Sequence, residues 1–206
     1  MYWSGGGRGK KPNGWEPPTK NVYITFREFL AKAVEAENRT VESPHYYFRV
    51  SDPDAHWLWD ELPFFQPKPS LFIKDPQGQR GIHCRFGMRG VIAEAHFDGS
   101  RNMIALFGGF RRYILSHPRE CANMHLLPNG HPSGRHSDVD WSKPDHARFP
   151  NFNKTRANEV ILTSGDMLFL PQMWFHYIIS LGLNWQCNTR SGRSKAYQQE
   201  IRDCGF

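Results

Sequence analysis

The sequence predicts a mainly β fold, a double-sheet roll or barrel with a few flanking helices. Three observations predict it. From Leu71 onward the chain falls into short apolar stretches of strand length, at 71–74, 81–86, 90–97, 102–107, 110–115, 159–162, 167–170, 174–181 and 184–189. Turn-forming residues separate many of them, including Pro76-Gln77-Gly78, Gly108-Gly109 and Ser164-Gly165-Asp166. Many short strands at this spacing specify two packed sheets or a barrel. The third observation is size: 206 residues, 39% hydrophobic and 14% aromatic, support one domain with a sizeable core.

Taken in order, residues 1–21 are rich in Gly, Lys and Pro and read as a flexible basic N-terminal segment, with Arg8, Lys10, Lys11 and Lys20 against Glu16. Residues 22–190 form the main domain, and 191–206 a short C-terminal segment in which 195–204 reads as one short helix. Thr25 and Glu28 have the spacing of a capping box. Phe26, Phe29, Leu30, Ala33 and Val34 follow at helical intervals, which predicts an amphipathic helix over 26–37 with that stripe in the core. The aromatic and β-branched run 45–50 is a strand. Acidic residues and prolines interrupt 52–70, which reads as a short helix and a loop. The polar stretch 116–158 lacks periodicity, and so long an insertion is often functional.

Composition excludes several classes. No apolar run approaches the roughly 20 residues of a membrane-spanning helix, and the N-terminus lacks the apolar centre of a signal peptide. Cys84, Cys121, Cys187 and Cys204 are scattered without a Cys-x-x-Cys pair, so the expectation is free thiols in a reducing, intracellular compartment, cytoplasmic or nuclear. Net charge is +6, half of it in the first 21 residues. A solvated tail is the ordinary reading of that bias, with nucleic-acid contact the less favoured one.

The chemistry is concentrated in His96-Phe97-Asp98 and in His176, within Trp174-Phe175-His176. Two imidazoles and one carboxylate occupy one face of a ferrous ion and leave the other positions open for a co-substrate and O2. Residues i and i+2 of a strand point to the same side, so His96 and Asp98 project together from the end of the 90–97 strand. A later strand must deliver His176. Among ten histidines, about one chance His-x-Asp is unsurprising, and a second copy exists, His136-Ser137-Asp138. It lies in a Gly/Pro/Ser-rich stretch that reads as loop, a less rigid platform for ligands.

Beyond these residues, a series of segments carries a family resemblance: Phe26-Arg27-Glu28-Phe29, Gly87-Met88-Arg89-Gly90, Ala95-His96-Phe97-Asp98 and Ser137-Asp138-Val139-Asp140. It continues through Pro144-Asp145, Arg148-Phe149-Pro150-Asn151-Phe152, Gly165-Asp166 and Trp174-Phe175-His176. Over about residues 22–190 the chain resembles the JmjC-type, cupin-fold Fe(II)/2-oxoglutarate oxygenases, and among them it is most similar to the asparaginyl hydroxylases. The resemblance implies a double-stranded β-helix (the jelly-roll, or cupin, fold) in which His96, Asp98 and His176 are catalytic and bind Fe(II). It implies 2-oxoglutarate as co-substrate, with Tyr47, Asn102 and Asn188 at positions that hold it. The chemistry implied is oxidative decarboxylation of 2-oxoglutarate to succinate, coupled to hydroxylation of a substrate C–H bond.

Two departures bear on the co-substrate. Arg111 stands where those hydroxylases have a lysine for the far carboxylate; a guanidinium is permanently charged and offers a two-pronged fork. Strand alternation places Arg111, Tyr113 and Leu115 on one face, with Arg112 and Ile114 on the other. Ala93 replaces a hydroxyl residue, a loss on the order of 1–3 kcal/mol of binding. On the substrate side Arg135 matches a family arginine, His136 and Arg49 each replace a glutamine, and Arg190 replaces an aromatic. The implied pocket is more basic than an amide-reading one, and the expected substrate is a protein or peptide side chain or a small acidic molecule. Demethylation, RNA-directed hydroxylation, a metal-binding module without turnover and a cupin sugar isomerase are the competing classes. The sequence leaves the oligomeric state open.

Overall fold

The structure, a computed structural model, describes residues 15–17, 19–38, 44–51 and 56–206. The basic residues Arg8, Lys10 and Lys11 of the expected N-terminal segment lie outside the described residues. So do 52–55 of the expected helix-and-loop stretch. The element order is α1 (Phe26–Asn38), β1 (Tyr47–Ser51), α2 (Leu58–Glu61), β2 (Gln79–Gly87), β3 (Ile92–Phe97), β4 (Asn102–Gly108), β5 (Arg111–Ser116), β6 (Asn158–Leu162), β7 (Met167–Leu170), β8 (Phe175–Ser180), β9 (Asn184–Ser191) and α3 (Gln198–Asp203). Three 3-10 turns, Pro63–Phe65, Pro118–Asn123 and Pro150–Lys154, each begin on a proline, whose fixed φ suits a first helical position.

All the strands pair antiparallel, in a five-stranded sheet of order β1-β2-β9-β4-β7 and a four-stranded sheet of order β3-β8-β5-β6. Neighbours in space are distant in sequence, as in a jelly roll, and this is the fold class the strand spacing predicts. The expected strand at 71–74 does not form. Ser70 Oγ accepts from the Phe72 and Ile73 amides instead, a serine turn that competes with sheet pairing. Gly109, at φ +73°, turns β4 into β5; a Cβ there would stand 2.1 Å from the Leu183 carbonyl oxygen.

The interior of the roll is divided. Ile104, Leu106, Tyr113, Leu162 and Leu170 close one part with apolar packing. The rest is a partly polar cavity, because inward positions on β9, β2 and β5 carry Gln186, Asn188, Arg190, His83, Arg85 and Arg111. Much of the apolar core therefore lies behind the five-stranded sheet. Outward Ile82, Cys84, Met103, Ala105 and Cys187 pack there against Leu58, Leu62 and Phe65. Helix α1 covers the neighbouring outer face with Phe29, Ala33 and Ala36.

The α1 capping box forms as expected: the Thr25 amide donates to Glu28 Oε2 at 2.6 Å, and the Glu28 amide to Thr25 Oγ1 at 3.2 Å. The stripe is narrower than its pattern, since Phe26, Leu30 and Val34 are exposed. The helix sits on a sheet surface that already holds Phe48 and Phe86; Phe29, Ala33 and Ala36 are buried against it, while Phe26 touches both rings from its edge and stays partly exposed.

The cysteines correct the expectation of free thiols. Cys84 pairs with Cys187 and Cys121 with Cys204 as disulfides. Linear spacing hides both: Cys84 and Cys187 face each other because β2 and β9 pair in that register, and the second bond fastens the segment bearing α3 to the Pro118–Asn123 turn. No helix among the described residues is long and apolar enough to cross a membrane.

Candidate active site

β3 and β8 build the site by direct opposition. His96 and His176 are cross-strand partners, with ring centroids 4.2 Å apart. A one-residue bulge in β3, between Ala93 and His96, turns both of those side chains into the cavity despite their odd separation. Asp98 follows the last residue of β3, and its carbonyl accepts from the Met173 amide at 2.9 Å. The ligand-capable atoms of His96, Asp98 and His176 lie within 4.8 Å of one another. No other His, Cys, Asp and Glu group of this kind occurs among the described residues.

Each imidazole has its tautomer set by a backbone carbonyl, which can only accept. His96 Nδ1–H donates to Glu94 O at 2.7 Å, and His176 Nδ1–H to Trp174 O at 3.1 Å. Each Nε2 lone pair is thereby left for a metal. Burial pushes both imidazoles toward the neutral form, the one that coordinates a cation. Burial would push the Asp98 carboxyl up, but the Arg190 guanidinium beside it, followed by the two imidazoles and Arg135, holds it well below the usual carboxylate range. Two neutral nitrogen donors and one ionised oxygen donor fit a divalent first-row metal and leave coordination positions open.

The other expected residues fall around the same cavity of about 280 Å³. Tyr47 and Arg49 on β1, Asn102 on β4, Arg111 on β5, Asn188 and Arg190 on β9, and Arg135 all line it. Arg111 is buried and its Nε donates to Asn184 Oδ1 at 2.6 Å, while Arg112 turns outward to Glu159. The strand alternation expected for this pair is what forms. Asn188 Nδ2 donates to Asn102 Oδ1 at 2.8 Å, and Arg85 donates to Asn188 Oδ1. Arg190 Nη2 lies 2.6 Å from Asp98 Oδ2, and Arg135 Nη1 lies 3.3 Å from Oδ1. Arg135 has a left-handed backbone, φ +74°, a conformation that costs a non-glycine residue about 1 kcal/mol or more. His136 does not line the cavity. It stacks on the back of His96 at 4.7 Å.

Several cavity residues were not among the expected site residues, although strand alternation puts Tyr113 on the face of Arg111. Ser180, Tyr113 and Gln186 surround Arg111; Tyr113 donates to Gln186, and Ser180 is the cross-strand partner of Arg111. Gly87 makes room for them: a Cβ there would stand 2.6 Å from Ser180 Oγ and 3.1 Å from Arg111 Nη2. Ser180 supplies a buried hydroxyl beside Arg111 that Ala93 lacks. A signal existed in the i, i+2, i+4 series His176-Ile178-Ser180, which puts Ser180 on the face of His176. Arg85 could be found in the same way once β2 was known to face inward.

With this geometry, the chain belongs to the Cupin-like domain family, whose model matches residues 11–192. It is 31% identical to tRNA wybutosine-synthesizing protein 5 of Danio rerio over 173 residues, 78% of this chain and 51% of that protein. It is 31% identical over 139 residues to Lysine-specific demethylase 8 of Xenopus tropicalis, covering 63% and 30% of the two chains. With JmjC domain-containing protein D of Dictyostelium discoideum it shares 33% identity over 101 residues, 48% of this chain and 22% of that one. The chain thus spans about half the length of the wybutosine-synthesizing relative and less of the other two.

Proposed function

We propose that this protein is an Fe(II)- and 2-oxoglutarate-dependent oxygenase that hydroxylates a protein or peptide side chain, with residues 22–190 as its catalytic unit. One observation carries the reading: two tautomer-fixed imidazoles and a buried carboxylate converge at one side of a cavity that also holds a buried arginine. His96, Asp98 and His176 would hold the metal. Arg111 would take the far carboxylate of the co-substrate through its guanidinium, with Ser180 as a neighbouring hydroxyl donor. Tyr47, Asn102 and Asn188 would line its path. When bound, the metal supplies O2 activation, so that substrate C–H, O2 and 2-oxoglutarate become C–OH, succinate and CO2. The chain's own work is to orient the bound groups, keep Asp98 ionised and exclude bulk water.

Ala93 favours the competing reading of a metal-binding module without turnover, and Ser180 offsets it. The name of the wybutosine-synthesizing relative supports an RNA-directed alternative, and that of the demethylase relative a lysine-directed one. The kinship to asparaginyl hydroxylases rests on the motif series alone, and Arg49 and Arg190, which line the cavity, argue for a different target residue. The test is anaerobic addition of Fe(II) and 2-oxoglutarate, followed by O2. A visible metal-to-ligand charge-transfer band and succinate release are expected. A band without succinate, with or without candidate peptides, would favour the non-catalytic module, and absence of the band would sink the oxygenase reading.

A further inference from the structure

The charge of the cavity bears on what enters it. Among the described residues, Arg49, Arg85, Arg111, Arg135 and Arg190 line it, against one carboxylate, Asp98. A divalent cation and a 2-oxoglutarate dianion carry equal and opposite charge, so loading the centre leaves the arginine excess in place. In a walled site such an excess acts far more strongly than in bulk water. It attracts an anion and opposes a second cation.

Arg135 and Arg190 are the arginines that touch the metal-ligand group, and their partner shows what their geometry fits. Both converge on one carboxylate, Arg190 Nη2 at 2.6 Å and Arg135 Nη1 at 3.3 Å. Arg135 Nη1 also donates to the Phe97 carbonyl at 2.8 Å. Arg190 Nε is buried and meets no acceptor among the described residues. A guanidinium binds a carboxylate best through two parallel N–H groups, and the edge of Arg190 that carries Nε retains a donor for one. Size narrows the choice. About 280 Å³ lies just below the roughly 300–1,000 Å³ of small-molecule pockets. With a five-carbon diacid inside, the remaining room suits one side chain and not a nucleoside.

Resting on the oxygenase reading above, we propose that the substrate group entering this cavity bears a carboxylate, held by Arg190 with Arg135, and that methylated lysine is excluded. The carboxylate comes from an acidic side chain of a peptide or from a free small acid. The reaction is the same in either case: the substrate loses one C–H bond and gains C–OH, one oxygen atom of O2 entering the product and the other entering succinate.

The test uses the whole chain loaded anaerobically with saturating Fe(II) and 2-oxoglutarate, so that the charge-transfer band first reports the centre itself. Its shift is then titrated with short peptide libraries of random flanks and a fixed central Asp, Glu, Asn, Gln or trimethyl-lysine, with N-acetyl-aspartate and N-acetyl-glutamate, and with unfractionated tRNA. Acidic probes are expected to bind about tenfold or more tighter than their amides and the trimethyl-lysine library. Preference for the libraries over the free acids identifies a peptide source, and the reverse a small acid. In Arg190→Gln, read at saturating metal and co-substrate, the acid-over-amide preference falls about tenfold, and Arg190→Lys recovers part of it. Equal binding of acid and amide, tighter binding of trimethyl-lysine or tRNA, or no shift with any probe would overturn the proposal. Failure of the band to form at all would instead count against the oxygenase reading.

Discussion

His96-Phe97-Asp98 and His136-Ser137-Asp138 are the same pattern, and the fold brings them into contact. The Ser137 amide donates to the Ala95 carbonyl at 2.8 Å, and the rings of His96 and His136 stack. Even the tautomer device is shared, since His136 Nδ1 lies 3.1 Å from the Ser133 carbonyl. Yet only the first copy can gather three ligands. It ends a strand whose cross-strand neighbour supplies His176, and its carboxylate is buried between two arginines. In the second copy the carboxylate turns outward to Arg148, at 2.6 Å, and both partners are exposed. A spacing that lets two side chains share a face is therefore insufficient. What makes a centre is a third donor fixed opposite them and enough burial to keep competing water and cations away.

Breaking each copy in turn gives the largest expected effect. Asp98→Ala should lower Fe(II) affinity by more than about 100-fold, beyond the 10–100-fold typical of losing an outer partner. Asp138→Asn should leave metal affinity unchanged and shift stability by less than about 1 kcal/mol, as for an exposed ion pair. Metal titration and thermal melting check the pair, and equal losses of metal would erase the distinction.

The next contrast opposes the metal side of the cavity to the Arg111 side. Gly87→Ala puts a methyl group against Ser180 Oγ and Arg111 Nη2, a crowding worth about 1–3 kcal/mol. Its 2-oxoglutarate affinity should fall about tenfold or more while Fe(II) binding is retained. Ser180→Ala removes one hydrogen bond, about 1 kcal/mol or about fivefold in Kd. Calorimetry of co-substrate binding reads both, and an unaffected Ser180→Ala would remove that hydroxyl from the site.

His136→Phe sharpens the comparison further. Stacking on His96 survives but the second imidazole does not, so Fe(II) affinity should change by no more than about tenfold, at the mild end of outer-partner effects. A loss as large as that of His176→Ala would mean that His136 is a ligand.

The smallest effect is on pH. Burial lowers His96, His136 and His176 below the ordinary histidine value, so the unfolded chain takes up protons that the folded one refuses. Their contribution to stability is present above about pH 6.5 and is lost as pH falls through the folded values. The Tm of the metal-free protein should fall between pH 7 and 5, and His136→Phe should flatten part of that slope.

Sequence pattern made much of this legible. The strands from β2 to β9 lie within a few residues of their expected limits, because alternating apolar segments between turns specify them locally. The facing of Arg111 and the preference for the strand-borne His-x-Asp followed from the same period of two. The disulfides did not, because Cys84 and Cys187 meet only through the register of β2 on β9. Gly87 was also hidden, since a glycine is no chemical signal until Arg111 and Ser180 are folded beside it.

By itself, then, the chain's order of residues determined where most of the strands form and which side chains share a strand face, because strand geometry is a short-range property. The tertiary structure decided which inward side chains meet. Cross-strand pairing joins residues far apart in sequence, and it alone set His176 opposite His96, closed two arginines on Asp98 and turned His136 into a packing partner.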